Sequence, residues 1–464
     1  MSKKRDGTTY TLTLMLVLVV ATTAASGQTF SVLYNFGQNT GDPINPSYSG
    51  ILAQGRDGNL YGTVAFGGAF QAGAMIKVTP SGNLTVVHSF DGSVGFAPFG
   101  GLTLGTDGNF YGTNGSGGRS FQGTVFKITP GGIPTLLYQF TGKSDGSTPY
   151  APPIQGRDGN FYGTTEIGGA SDAGTVYKMT PSGTLTTLHS FDNTNGAQPI
   201  GPLLQAADGN FYGTTVSGGP SNAGTVFKIA PKGKFTVLHN FDQTDGFDPS
   251  SLLVQGKDGS FYGTAFSGGA QGTGTIFKIT AKGKFVVLHH FNGSTDGGNP
   301  YAGLVQGSDG NFYGVSSFNG DTSNHGTIFK IGPQGRFSVL HIFDGAAGAT
   351  PEVTLLQHTK GMLFGDTTFG GTFNEGTFYS WTADLRPFIS LVTTSGRVGK
   401  KVEILGQGFK GTRSVSFNGT SASYEVVSNT YLTATVPAGA TTGPVKIATA
   451  GGTLTSKVNF HVAR

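Results

Sequence analysis

The chain has no cysteine in 464 residues, so disulfides, thiolate chemistry and cysteine-based metal sites are all excluded. Charge is also scarce. Asp, Glu, Lys and Arg make up 12% of the residues, about half the usual ~25%. The net charge of +4 falls to +2 once Lys3, Lys4, Arg5 and Asp6 are set aside. With no cluster of Lys or Arg to grip a phosphate backbone, a nucleic-acid partner is excluded. Beyond about residue 21 no apolar run is long enough to cross a bilayer as a helix.

The N-terminus has the order of a secretory signal. Lys3, Lys4 and Arg5 precede an apolar run from about Leu12 to Ala21, followed by the small residues Ala24, Ala25, Ser26 and Gly27. The expectation is a signal peptide over residues 1–27. The mature protein is then secreted, periplasmic or on the cell surface, with no transmembrane segment. Glycine, by contrast, is abundant: 79 residues, roughly 17% against a typical ~7%. Aromatics at 11% argue that these glycines form turns between real strands, since disordered chains are poor in aromatics.

Self-similarity along the chain decides the fold class. The segment Phe110-Tyr111-Gly112-Thr113 recurs with its tyrosine at Tyr61, Tyr111, Tyr162, Tyr212, Tyr262 and Tyr313, and Phe364 takes that place in the last copy. The spacings are 50 or 51 residues throughout. A second marker, as in Gly123-Thr124-Val125-Phe126-Lys127-Ile128, keeps step, and so does a third ending at Phe36, Phe90, Phe140, Phe191, Phe241, Phe291 and Phe343. Each unit contains four short β-like runs, in the fourth copy 201–205, 210–216, 224–230 and 234–241. Asp208-Gly209-Asn210 and Pro231-Lys232-Gly233 supply the turns. Four strands in about 50 residues is the size of a propeller blade. The fourth-strand motif occurs first, as Thr29–Phe36, and is missing after Trp381. The N-terminal strand is therefore expected to complete the last blade and close a seven-bladed β-propeller over residues 28–384.

From Pro387 the pattern changes. Val402-Glu-Ile-Leu-Gly406-Gln-Gly408-Phe409, Val415-Ser-Phe417-Asn418-Gly419, Gly443-Pro444-Val445 and Val458-Asn-Phe460 read as a compact β-sandwich over residues 385–464. This stretch resembles the IPT/TIG immunoglobulin-like domains. The upstream repeats, by their Tyr-Gly-Thr, Gly-Gly and Gly-Thr-Val-Phe-Lys elements, resemble the GloVer (Gloeo/Verruco-type) tandem repeats of exported bacterial proteins. That resemblance implies no established reaction. Members of the family often carry a C-terminal anchoring tail, and with Val462-Ala463-Arg464 at the end covalent anchoring is not expected.

No constellation in the sequence points to catalysis. His88, His189, His239, His289 and His341 recur at one fourth-strand position where Tyr34 and Tyr138 replace them, as a polar-tipped packing residue would. His290, His325, His358 and His461 lack metal-type spacing. Gly-Gly pairs such as Gly117-Gly118 have no helix behind them to make a phosphate loop. Asp91, Asp192, Asp242 and their equivalents suit Asx turns. Metal, cofactor and catalytic residues are all expected to be absent.

Variable loops on a rigid scaffold are where binding concentrates. Aromatics gather there: Tyr48, Phe99, Tyr150 and Tyr301 at one equivalent place, with Phe96, Phe121, Phe247 and Phe318 nearby. Flat apolar rings suit sugars or protein surfaces. The functional expectation is an exported, non-enzymatic protein that binds an extracellular glycan or protein through these loops. Two rivals are a carbohydrate- or lactone-active enzyme with carboxylates converging on the central channel, and a purely structural surface component.

Overall fold

The computed structural model describes residues 28–46, 51–321 and 324–463. The proposed signal segment 1–27 and Tyr48 lie outside the described residues. The protein is all-β, with one 3-10 turn, Phe409–Gly411, as its only helical element among those residues.

Residues 29–382 form seven four-stranded antiparallel sheets of one design. In the fourth, the strands are Leu204–Gln205, Phe211–Thr215, Thr225–Ile229 and Phe235–Asn240, paired in sequence order. Local chemistry explains the first hairpin. Gly209 takes φ 85°, which a side chain would resist, and its N–H reaches Ala206 O at 2.9 Å. Asp208 Oδ1 accepts from the Asn210 N–H at 3.0 Å, and the Tyr212 hydroxyl donates to Asp208 Oδ2 at 2.8 Å. The same tyrosine–aspartate bond recurs at Asp57, Asp107, Asp158, Asp258 and Asp309. Gly213 then makes room on the second strand, because a Cβ there would lie 2.6 Å from Phe227 Cζ. Val226, Phe227 and Ile229 of the third strand are fully buried.

The first strand is shorter than the sequence suggests, two residues instead of five. The backbone before it is engaged elsewhere: the Thr164 hydroxyl of the preceding repeat donates to Gly201 O at 3.2 Å. Successive sheets are joined by such cross-bonds. Gln155 Oε1 accepts from Thr106 N–H, Gln205 Oε1 from Arg157 N–H and Gln255 Oε1 from Ala207 N–H, each at 2.9 Å. The fourth strands stack rings on one another, His189 on Phe235 and His239 on Phe285 at 3.7 Å, and His289 on Phe337 at 3.9 Å.

Both links also operate between the chain's two ends. The N-terminal strand Thr29–Asn35 pairs antiparallel with Thr377–Thr382 and supplies the fourth strand of the seventh sheet. Its Phe30 stacks on His341 of the sixth at 4.0 Å. Gln54 Oε1 accepts from Thr359 N–H at 3.0 Å, so repeat one bonds to repeat seven as repeat three does to repeat two. Phe36, Leu52, Leu60, Phe364 and Phe378 share one buried cluster across that junction.

The C-terminal segment forms two further four-stranded sheets. One is built from Ser390–Leu391, Lys401–Leu405, Tyr431–Thr435 and Tyr424–Val426. The other contains Thr420–Ala422, Ser414–Phe417, Val445–Thr449 and Gly452–Thr455. Val402, Ile404 and Leu432 of the first meet Val415, Phe417 and Ile447 of the second in a single core. This segment packs on the first-to-second-strand side of repeats one, six and seven. Arg56 pairs with Glu403 at 2.7 Å, and the Lys457 ammonium donates to Gln306 O and Gln357 Oε1 at 3.0 Å.

Candidate functional site

The loops that follow Tyr-Gly-Thr and those that lead into each first strand meet through short bridges. Phe96 bridges to Ser116, Phe247 to Ser267 and Phe318 to Gly298. All three rings are half-buried, and Phe247 packs on the core that holds Phe261 and Phe277. Phe99 and Tyr150 come together at 5.2 Å, and Phe66 lies 5.9 Å from Phe99. Tyr301 instead packs on Phe266, 5.9 Å away. Phe121 stands out in solvent.

Four exposed phenylalanines escaped the sequence reading. Phe66, Phe70, Phe369 and Phe373, together with Phe121, are between 41% and 72% exposed. They fall on repeats seven, one and two, which are consecutive in space: Ile51 of repeat one bridges to both Gly101 of repeat two and Thr354 of repeat seven. At the Phe70 place, repeats three to five carry Ser171, Ser221 and Gln271. A comparison of the seven copies position by position would have found them.

The same three repeats bound a small pocket of about 10 Å³, lined by Pro46, Ile51, Thr63, Phe99, Val353 and Asp366. That is room for about one water molecule. Asp366 lies at the threonine position of Tyr-Gly-Thr, on the strand Leu363–Thr367. In repeats two to five this threonine donates to the segment leading into the next repeat: Thr113 to Ala151 O, Thr164 to Gly201 O, Thr214 to Ser251 O and Thr264 to Ala302 O, at 2.9–3.2 Å. Asp366 is 4% exposed, and its Oδ1 has no hydrogen-bond partner. Burial, reinforced by the charge of Glu352, holds its carboxyl well above the usual carboxylate range. Glu352 follows Pro351, at the position held elsewhere by Phe99, Tyr150 and Tyr301. The Thr368 hydroxyl oxygen lies 3.0 Å from both Glu352 Oε2 and Pro46 O.

A second acid, Asp248 of repeat five, is raised to about 6 by burial, its bond to Ser250 opposing the shift. Among the described residues, no three His, Asp or Glu side chains converge as a metal ion would require. Asp91, Asp192 and Asp242 each accept from a backbone N–H two residues on, which is Asx-turn geometry.

Seven sheets of one design, each from one unit of about 50 residues, define an all-β tandem-repeat protein. The Gloeobacter/Verrucomicrobia repeat matches residues 3–151, 46–256 and 248–427, and the chain belongs to that family. No curated protein matches it in sequence. Among solved structures, a gluconolactonase from Xanthomonas campestris is 13% identical with a TM-score of 0.42, over 77% of this chain and 90% of its own. A putative 6-phosphogluconolactonase from Bacteroides uniformis is 13% identical with a TM-score of 0.46, over 66% and 88%. The extracellular domain of a putative hybrid two-component system from B. thetaiotaomicron is 10% identical with a TM-score of 0.47, over 92% of this chain and 58% of that one.

Proposed function

We propose that this is an exported glycan-binding protein: a closed seven-bladed propeller that presents the loops of blades seven, one and two to a saccharide, followed by an immunoglobulin-like domain of IPT/TIG type. Ring closure is supported by the strand pairing, the ring stack and the glutamine bond that join repeat seven to its neighbours as the other repeats are joined. The immunoglobulin-like assignment is supported by two sheets around a single core. Export is read from residues 1–27. The C-terminal domain rests on the turn side of the repeats, which leaves the loop side to the ligand.

The observation that carries the binding role is the concentration of five exposed phenylalanines on three consecutive repeats, beside a pocket with carboxyl and hydroxyl groups. Apolar rings next to hydrogen-bonding groups match the two faces of a sugar. The test is a glycan array probed with the full-length mature chain. Replacing Phe66 and Phe70 by alanine should weaken capture at least tenfold, about 1.4 kcal/mol, with an unchanged melting temperature. A wild-type chain that captures no glycan would refute this reading.

Asp366 and Glu352 favour a second reading, an enzyme acting on polysaccharide or a lactone. Two acids in unlike environments, one with its carboxyl pushed upward by burial, are what acid–base hydrolysis uses. Release of reducing ends or of acid from array-positive sugars would select it.

A further inference from the structure

The turn from third to fourth strand carries a charge pattern that the repeat itself does not require. In repeats one to three its two variable positions hold Ser81 and Asn83, Gly131 and Ile133, and Ser182 and Thr184. Repeats four and five hold Lys232 and Lys234, and Lys282 and Lys284, while repeat six ends the turn with Arg336. From one repeat to the next these cations lie about 50 residues apart, so they form no run in the chain. The fold assembles them. Each turn is seated on the fourth strand of the repeat before it: a Cβ at Gly233 would lie 3.1 Å from Leu188 O, one at Gly283 2.9 Å from Leu238 O, and one at Gly335 3.0 Å from Leu288 O. Three basic turns therefore stand side by side.

All five cations are exposed with the C-terminal domain in place, and none makes an ion pair among the described residues. The acids of neighbouring hairpins are already engaged: Asp158 pairs with Lys178 at 2.9 Å and Asp258 with Lys278 at 2.8 Å. Lys257, on the first-to-second-strand turn of repeat five, adds to the charge of this side. Burial first and Lys257 second pull the Lys457 ammonium down to about 7. We propose that the turn side of repeats four to six is a docking surface for an acidic polysaccharide, a chain of uronate units lying across the three turns. Charge complementarity sets the sign of the partner. The repeat sets its kind, because cations presented once per blade match a linear polymer with carboxylates at regular intervals. The tips Pro231-Lys232-Gly233-Lys234, Ala281-Lys282-Gly283-Lys284 and Pro333-Gln334-Gly335-Arg336 hold no aromatic ring to stack on a base and no bulky apolar wedge to enter a membrane. This surface is separate from the phenylalanine-bearing loops and does not depend on their reading.

The experiment measures binding of the full-length mature chain to immobilised polygalacturonate and to its methyl ester, which keeps the backbone and removes the charge. The test variant combines Lys232→Ser, Lys234→Thr, Lys282→Ser and Lys284→Thr, side chains that repeat three already carries in this turn, so the fold tolerates them. Expected are capture of polygalacturonate by the wild type, roughly tenfold or weaker capture of the ester, and roughly tenfold or greater loss when salt rises from about 0.05 to about 0.5 M. The serine–threonine variant should lose roughly tenfold or more at an unchanged melting temperature. Lys232→Arg, Lys234→Arg, Lys282→Arg and Lys284→Arg together should stay within about threefold of wild type, since the charge is kept. The Phe66→Ala, Phe70→Ala variant should bind polygalacturonate like wild type. A serine–threonine variant that binds like wild type, or an ester captured as well as the acid, would overturn the surface. Loss in the phenylalanine variant alone would also overturn it, by placing the acidic sugar on the loop side. Tighter binding to phosphatidylglycerol vesicles or to duplex DNA than to polygalacturonate would overturn the polysaccharide in favour of a membrane or a nucleic acid.

Discussion

Asp366 stands where five of the other repeats carry threonine, and its environment makes a prediction separate from binding. Its carboxyl is raised in the folded protein, by burial first and by Glu352 second. In the unfolded chain it ionises in the ordinary range. Its contribution to stability is therefore full below that range and is lost as pH rises, because the unfolded state releases its proton first. Asp366→Asn should match wild type at pH 4 and exceed it by about 1–3 kcal/mol at pH 7. Urea midpoints at the two pH values check this. A variant equally or less stable at pH 7 would mean that the carboxyl is satisfied in solution.

At the scale of the element, the recurrent hairpin is held by a tyrosine–aspartate bond that the strand pattern alone does not announce. Tyr212 reaches Asp208 at 2.8 Å, and hydrogen bonding by Asn210 and Tyr212 keeps that acid below the usual range against the burial that opposes it. Tyr212→Phe removes one hydroxyl and should lower stability by about 1 kcal/mol, read as a lower urea midpoint. Repeat seven provides the control. There Phe364 has lost the hydroxyl and Lys360 stands in the aspartate's place, so both partners are absent together. Phe364→Tyr should therefore bring no gain. A gain equal to the loss at Tyr212 would show that the hydroxyl acts through packing instead of the aspartate.

For the whole molecule, the critical joint is the N-terminal strand. It covers the edge Thr377–Thr382, and Phe30 packs on Tyr379 and Trp381 of the seventh sheet. Deleting residues 28–36 leaves an unpaired edge and uncovers those rings, a template for association with other chains. The truncated protein should melt at least several degrees lower, with a broader transition, and elute as oligomers. A peptide of residues 28–37 added in trans should restore the elution of the untruncated chain. A truncated chain that elutes and melts like wild type would refute the closed ring.

The sequence by itself determined the repeat, its seven copies, the four strands in each and the turns between them. Alternating apolar residues, and glycines where φ must be positive, act within a few residues, and sevenfold repetition makes such local signals unmistakable. It also placed Phe99 and Tyr150 at equivalent positions, and the structure puts their rings in contact. What only the tertiary structure decided depends on partners far away in the chain. Threonine hydroxyls spent between repeats shorten the first strands. Gln54 finds Thr359 across 305 residues. Ile51 bridges to repeat two and to repeat seven, and Asp366 is buried beside it. Burial of that acid follows from the meeting of repeats seven, one and two, and no local pattern encodes which three repeats meet around one pocket.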